Sequence, residues 1–167
     1  MTARTSPDEA VDAVLRTVPR WARLLGQELE GLSPPLSLRQ FLVLQRIGEG
    51  TSRNVDLART IRVTSPTMTG VIDRLVDMGL VQRAIEPADR RSFRLCLTTA
   101  GRRILNRHSR LLATRIRQVL MDDGEATEPD LEAVGRACEV LTRAMDARRR
   151  RVETTPPRTA KRSRAPA

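Results

Sequence analysis

The stretch TSRNVDLARTIRVTSPTMTGVIDRLVDMGL, residues 51–80, decides the fold. Val55, Leu57, Ala58 and Ile61 recur at helical spacing in its first half; Met68, Val71, Ile72, Leu75 and Val76 do so in its second. Thr51 or Ser52 can cap the first helix. Arg62 to Ser65 reads as a short turn. Ser65-Pro66 then reads as a helix start, an N-cap hydroxyl followed by proline at the first helical position. Gly79 ends that helix. Two short helices joined by such a turn make a helix-turn-helix.

Working outward, the period changes to two after Gly79. Leu80 to Ile85 is one strand, and Phe93, Leu95 and Leu97 alternate with Arg94 and Cys96 on another. The polar run Glu86-Pro87-Ala88-Asp89-Arg90-Arg91 lies between them, so the pair is a β-hairpin with a basic tip. Thr98 caps a long helix to about Met121, striped by Ile104, Leu105, His108, Leu111, Leu112, Ile116, Val119 and Leu120. Asp122-Asp123-Gly124 breaks it. A last helix starts near Thr127-Glu128-Pro129 and carries Leu131, Val134, Cys138, Leu141 and Met145. Upstream, Val11, Val14, Leu15, Val18, Ala22, Leu25 and Leu29 form one helical stripe, and Pro19 predicts a kink or two abutting helices. Gly31, Ser33, Pro34 and Pro35 end it. Ser37 then caps a helix bearing Phe41, Leu42, Leu44 and Ile47. The expected fold class is α+β, predominantly helical.

Composition narrows the function. The 167 residues carry 30 Lys+Arg against 20 Asp+Glu, a net charge of +10, and the only lysine is Lys161. No apolar run is long enough to cross a membrane, and Met1 to Val11 lacks the apolar core of a signal peptide, so a cytoplasmic protein is expected. Cys96 and Cys138 give neither a disulfide framework nor a zinc site; both are expected to be inert thiols. With one histidine and Trp21, Phe41 and Phe93 as the large aromatics, there is no nucleophile–base pair, metal site or Gly-rich phosphate loop. No enzyme, cofactor or metal is expected. Residues 148–167 hold eight basic residues and one acid, a net of +7 out of +10, and read as a disordered tail. Such a tail is either an arm for nucleic-acid phosphates or a solvated aid to solubility.

The ordered set of Leu38-Arg39-Gln40-Phe41-Leu42-Val43-Leu44, Asp56-Leu57-Ala58, Asp73-Arg74-Leu75, Gly79-Leu80-Val81-x-Arg83, Asp89-Arg90-Arg91 and Leu97-Thr98-x-x-Gly101 resembles the MarR family of winged helix-turn-helix regulators. The match covers about residues 36–105. The resemblance implies a homodimer: an N-terminal dimerisation helix over 1–35, a DNA-binding lobe over 36–97 and C-terminal dimerisation helices over 98–147, followed by the tail. It also implies a regulator, usually a repressor, on a palindromic double-stranded DNA operator, with release by a small aromatic or anionic effector.

Site expectations follow. Burial of Met68, Val71, Ile72 and Leu75 leaves Thr67, Thr69, Gly70, Asp73 and Arg74 on the opposite face of the second helix. Ser65, Thr67, Thr69, Gly70 and Arg74 are the base-readout candidates, short side chains that let the backbone approach major-groove edges. Arg90 or Arg91, with Arg91 favoured, would enter the minor groove from the wing. By resemblance, Asp89 orients the wing by pairing with Arg83. Phosphate contacts fall to Arg39, Arg53, Asn54, Arg59 and Arg62. Arg20, Trp21, Phe41 and His108 are candidates for a ligand cleft, although a satisfied core histidine is the simpler account of His108. The rival reading is a non-specific nucleic-acid binder driven by the Arg-rich tail.

Overall fold

The computed structural model describes residues 6–86, 89–121 and 126–154, with the side chains of 86, 89–92, 149–150 and 152–154 outside the description. Six helices and one antiparallel hairpin follow in the order α1 (Pro7–Glu30), α2 (Leu38–Gly48), α3 (Asn54–Ile61), α4 (Ser65–Asp77), β1 (Val81–Glu86), β2 (Asp89–Leu97), α5 (Thr99–Met121) and α6 (Glu128–Thr154). Two compact units are present, one up to Arg117 and one from Gln118.

The first unit is built around the helix-turn-helix. Ser37 caps α2 in a capping box, its Oγ accepting from Gln40 N–H at 3.2 Å while Gln40 Oε1 accepts from Ser37 N–H at 2.8 Å. Its inward face is Phe41, Val43, Leu44 and Ile47; Val43, not Leu42, takes the buried position. α3 contributes Leu57 and Ala58, and α4 contributes Met68, Ile72 and Leu75 at the i, i+4, i+7 spacing of one face. With Leu36, Leu80, Val81, Leu95 and Leu97 these residues form one continuous core. Burying each large side chain contributes about 1.5–3 kcal/mol.

The exit from α4 explains the Gly79-Leu80 and Thr98-x-x-Gly101 signatures. Gly79 sits at φ +67°, with its N–H donating to Val76 O and the Leu80 N–H to Leu75 O, a Schellman closure that needs left-handed backbone. Thr98 then ties the hairpin shut. Its hydroxyl donates to Gly79 O at 2.7 Å and accepts the Gly101 N–H at 2.9 Å, so one side chain caps α5 and anchors the start of β1. A Cβ on Gly101 would lie 1.9 Å from the Leu80 carbonyl oxygen. Only glycine lets α5 start there.

Other expectations change as well. α1 runs unbroken through Pro19, which removes one backbone hydrogen bond. The N-terminal half of the helix is open to water, with Leu15 67% exposed, so solvent can satisfy the freed carbonyl. α3 is capped at Arg53 without a side-chain bond, not by Thr51 or Ser52. Thr64, not Ser65, caps α4; its Oγ1 accepts the Thr67 N–H, and Ser65 and Pro66 are already helical. The hairpin registers Val81 with Leu97, Arg83 with Leu95 and Ile85 with Phe93, then shifts between Ile85 and Glu86. Phe93, expected to alternate with the core, is 59% exposed because the strands have left the lobe by that point.

The second unit holds α6. The Thr127 hydroxyl and N–H both donate to Asp130 Oδ2, at 2.6 and 2.8 Å, and hold that carboxyl below its ordinary range. The helix continues to Thr154, so Arg148, Arg149, Arg150 and Arg151, assigned above to a disordered tail, lie on it. Residues 155–167 of that tail lie outside the described residues. Among the described residues, no helix is long and apolar enough to cross a membrane.

Candidate nucleic-acid interface

Packing of Met68, Ile72 and Leu75 into the core turns the other face of α4 outward, and Ser65, Thr67, Thr69, Gly70 and Arg74 are all exposed on it. No atom lies within 4 Å of the place a Gly70 Cβ would occupy, so another backbone can approach the helix there. An open groove runs between this face and the start of α2, lined among others by Arg39, Gln40, Thr67, Gly70 and Arg74. It brings Arg39 beside the readout candidates, so a cation borders the small side chains.

The hydroxyls on α4 are partly committed. Thr67 Oγ1 lies 2.8 Å from Thr64 Oγ1. Thr69 Oγ1 donates to Ser65 O at 3.0 Å and accepts from Asn54 Nδ2 at 2.7 Å. Asn54, expected at a phosphate, reaches Thr69 on the second helix through Nδ2, and its Oδ1 is buried without a partner. Arg53 is exposed at the cap of α3, and Arg59 is exposed with Asp56 Oδ1 at 3.7 Å. Arg62 takes left-handed backbone at φ 59°, exposed in the turn of the helix-turn-helix.

Two polar contacts among the described residues help to fasten the wing to the lobe. The Leu95 N–H donates to Ser52 O at 2.8 Å. Arg83 pairs with Asp73 on α4; the side chain of Asp89, the partner the resemblance suggested, lies outside the described residues. The pair is long-range in sequence, and the only sign of it was an acid left on the outward face of α4. Both side chains are about half exposed, so the pair contributes at most about 1 kcal/mol to stability. It joins the first strand of the wing to α4. Asp89, Arg90 and Arg91 lie on β2, and their side chains are outside the described residues.

The four cleft candidates do not share one environment. Arg20 is exposed and Trp21 half-buried on α1. Phe41 packs with Leu29 and Leu112 in a second small core. His108 is completely buried, its Nε2 donating to Pro34 O at 2.9 Å, with no partner on Nδ1. That is a core histidine satisfied at one nitrogen. Cys96 is half-buried, and Cys138 is exposed on α6. Among the described residues no cluster of side chains could hold a metal ion.

Comparison with known proteins follows the same lines. Residues 36–93 match the model of the MarR family. An HTH-type transcriptional regulator of Mycobacterium tuberculosis is 35% identical over 96 residues, 57% of this chain and 64% of the relative. The chain thus spans less than two thirds of that relative's length. Wild-type MarR from E. coli, in its apo form, superposes with a TM-score of 0.67 at 26% identity, over 78% of this chain and 94% of that one. A mutant MarR from E. coli solved with operator DNA shares the fold, with a TM-score of 0.60 at 23% identity over 84% and 99% of the two chains. With these matches, the Gly79 and Thr98–Gly101 closures and the hairpin fastened behind α4, residues 36–93 match the MarR family and the chain carries a winged helix-turn-helix lobe.

Proposed function

We propose that this chain is a sequence-specific double-stranded DNA-binding transcriptional regulator, acting as a homodimer and repressing by occupying a palindromic operator. The observation that carries the proposal is the outward face of α4. Small side chains at Ser65, Thr67, Thr69 and Gly70 lead to Arg74, with Arg39, Arg53, Arg59 and Arg62 exposed around them. Small residues admit close approach to base edges, Arg74 can bond guanine or phosphate, and the surrounding arginines position the backbone. That a protein of the same fold has been solved with operator DNA supports DNA as the partner. Arg90 and Arg91 extend the reading to the minor groove.

The homodimer is supported by unpartnered apolar surface. Val11, Leu15 and Val18 on α1 are exposed at helical spacing, as are Val134, Cys138 and Met145 on α6. A second copy would cover such stripes. Two recognition helices would then meet half-sites about one helical turn apart. Release by a small aromatic anion is the second part of the proposal. Trp21 and Arg20 supply an aromatic surface and a cation, whereas Phe41 and His108 serve packing.

Fluorescence anisotropy at about 0.15 M salt tests the proposal. The probes are the DNA flanking the gene for this chain and a scrambled duplex of equal length. At least about a thousandfold preference for one duplex is expected of a specific regulator. Equal, strongly salt-dependent binding to both would favour the tail-driven binder. Isothermal calorimetry with benzoate, and loss of DNA binding in its presence, tests release.

A further inference from the structure

Asn54 and Thr69 sit on different helices of the helix-turn-helix and share one hydrogen bond. Thr69 has a single hydroxyl proton, and that proton is directed at Ser65 O, 3.0 Å away. One lone pair of the same oxygen is taken by Asn54 Nδ2 at 2.7 Å. Phosphate oxygens, guanine O6 and N7, adenine N7 and thymine O4 are all acceptors and need a donor. Thr69 has none left for them. What it still offers on the exposed face of α4 is its methyl group and one lone pair, which only the amino groups of cytosine or adenine could use.

Threonine in a helix divides between two χ1 rotamers, because its hydroxyl can reach the carbonyls three or four residues back. A hydroxyl that must meet both Ser65 O and Asn54 Nδ2 is held in one of them, and the methyl is fixed with it. Asn54 is well placed to do this. It is the first residue of α3, so its backbone is set by another helix. Its Oδ1 is buried without a partner, and its amide is held to Thr69 through Nδ2.

We propose that Asn54 is a positioning residue that locks the Thr69 hydroxyl inside the protein, so that Thr69 reads DNA through its methyl group, against the C5-methyl of a thymine. The C5-methyl is the apolar group on the major-groove edge of the four bases, and a fixed methyl is its natural complement. The inference rests on the regulator reading above and gives it a specificity element. It also moves Asn54 from phosphate contact to support of the reading helix.

The test uses the full-length protein and a duplex that this protein selects from a random pool. Each thymine is replaced in turn by uracil, which removes only the methyl. The parent is expected to lose about three- to fivefold in affinity at one thymine per half-site, the worth of one buried methyl-sized group. Thr69→Val should keep both the affinity and that uracil penalty. Thr69→Ser should bind the thymine duplex as weakly as the parent binds the uracil duplex, with no further penalty. Asn54→Ala should shrink the penalty at that thymine while leaving the others. Adding Thr69→Val to Asn54→Ala should restore it, because valine in a helix keeps one rotamer unaided.

A merely structural Asn54 would weaken binding to thymine and uracil duplexes alike, leaving the penalty intact, and that result overturns the proposal. So does a Thr69→Val protein that loses binding as badly as Thr69→Ala, since the hydroxyl would then be the reading group. A parent that prefers its selected duplex to a scrambled one, yet shows no uracil penalty at any thymine, overturns this inference alone. A parent with no preference overturns the regulator reading, and this inference with it.

Discussion

Helices α4 and α6 make opposite use of their sequences. α4 is 13 residues long and buries Met68, Ile72 and Leu75. α6 is 27 residues long and, among its described residues, buries none. A helix draws most of its stability from packing an apolar face. The winged lobe therefore completes its core within one chain, whereas α6 carries apolar residues with no cover. α6 gains its cover, on our proposed function, from a second copy.

The sharpest way to break the contrast is to disturb the lobe where backbone meets backbone. Gly101→Ala would place a Cβ 1.9 Å from Leu80 O and 2.8 Å from Leu80 C, and neither atom can swing aside. We expect a loss of at least about 3 kcal/mol, at the upper end of overpacking effects, read by urea denaturation. A variant as stable as the parent would mean that α5 can start elsewhere without loss.

On the other side of the contrast, Met145→Glu places a charge on the unpartnered stripe of α6, where Met145 is 64% exposed in the single chain. The lobe should keep its stability. The dimer should weaken by about 3 kcal/mol, roughly a hundredfold in its dissociation constant, because the carboxylate would be buried without a partner. Analytical ultracentrifugation reads this directly. A dimer unchanged in strength would show that this stripe is not the contact between copies.

Arg83→Ala is a smaller perturbation that separates orientation from stability. It removes the partner of Asp73 from an exposed pair, so global stability should fall by at most about 1 kcal/mol. Amide exchange in β1 and β2 should quicken more than in α2, since the hairpin loses one of its ties while the core keeps all of its contacts. Exchange that rises equally in both would assign Arg83 to the core's stability and not to the wing's direction.

These regions also differ in how legible they were in the sequence. The lobe was readable because its signals are local. Periodicity placed α2, α3 and α4, the change to a period of two placed the hairpin, and Thr98-x-x-Gly101 marked the exit. Cap positions slipped by one or two residues, Thr64 for Ser65 and Arg53 for Ser52, because several neighbouring residues could serve and backbone geometry chose among them. The partners of Arg83 and Asn54 were not legible at all. Asp73–Arg83 and Asn54–Thr69 join residues 10 and 15 positions apart, and only the fold brings them together. At Pro19 the sequence left a kink or two abutting helices open, and the continuous α1 excludes the second: an exposed helix can lose one backbone bond to solvent and continue.

Glycine gives the finest comparison. Gly70 on α4 and Gly135 on α6 both lie mid-helix, and a Cβ at either would meet nothing within 4 Å. Helix propensity alone predicts that Gly70→Ala and Gly135→Ala each stabilise their helix by about 1 kcal/mol. Their other effects should diverge. Gly70→Ala should melt at a higher temperature yet bind operator more weakly, because its methyl stands where DNA must come close. Gly135→Ala should leave operator binding alone. If it instead loosens the dimer, the open space beside Gly135 in the single chain is where the second copy's helix packs, and the uncovered face of α6 gains a defined point of closest approach.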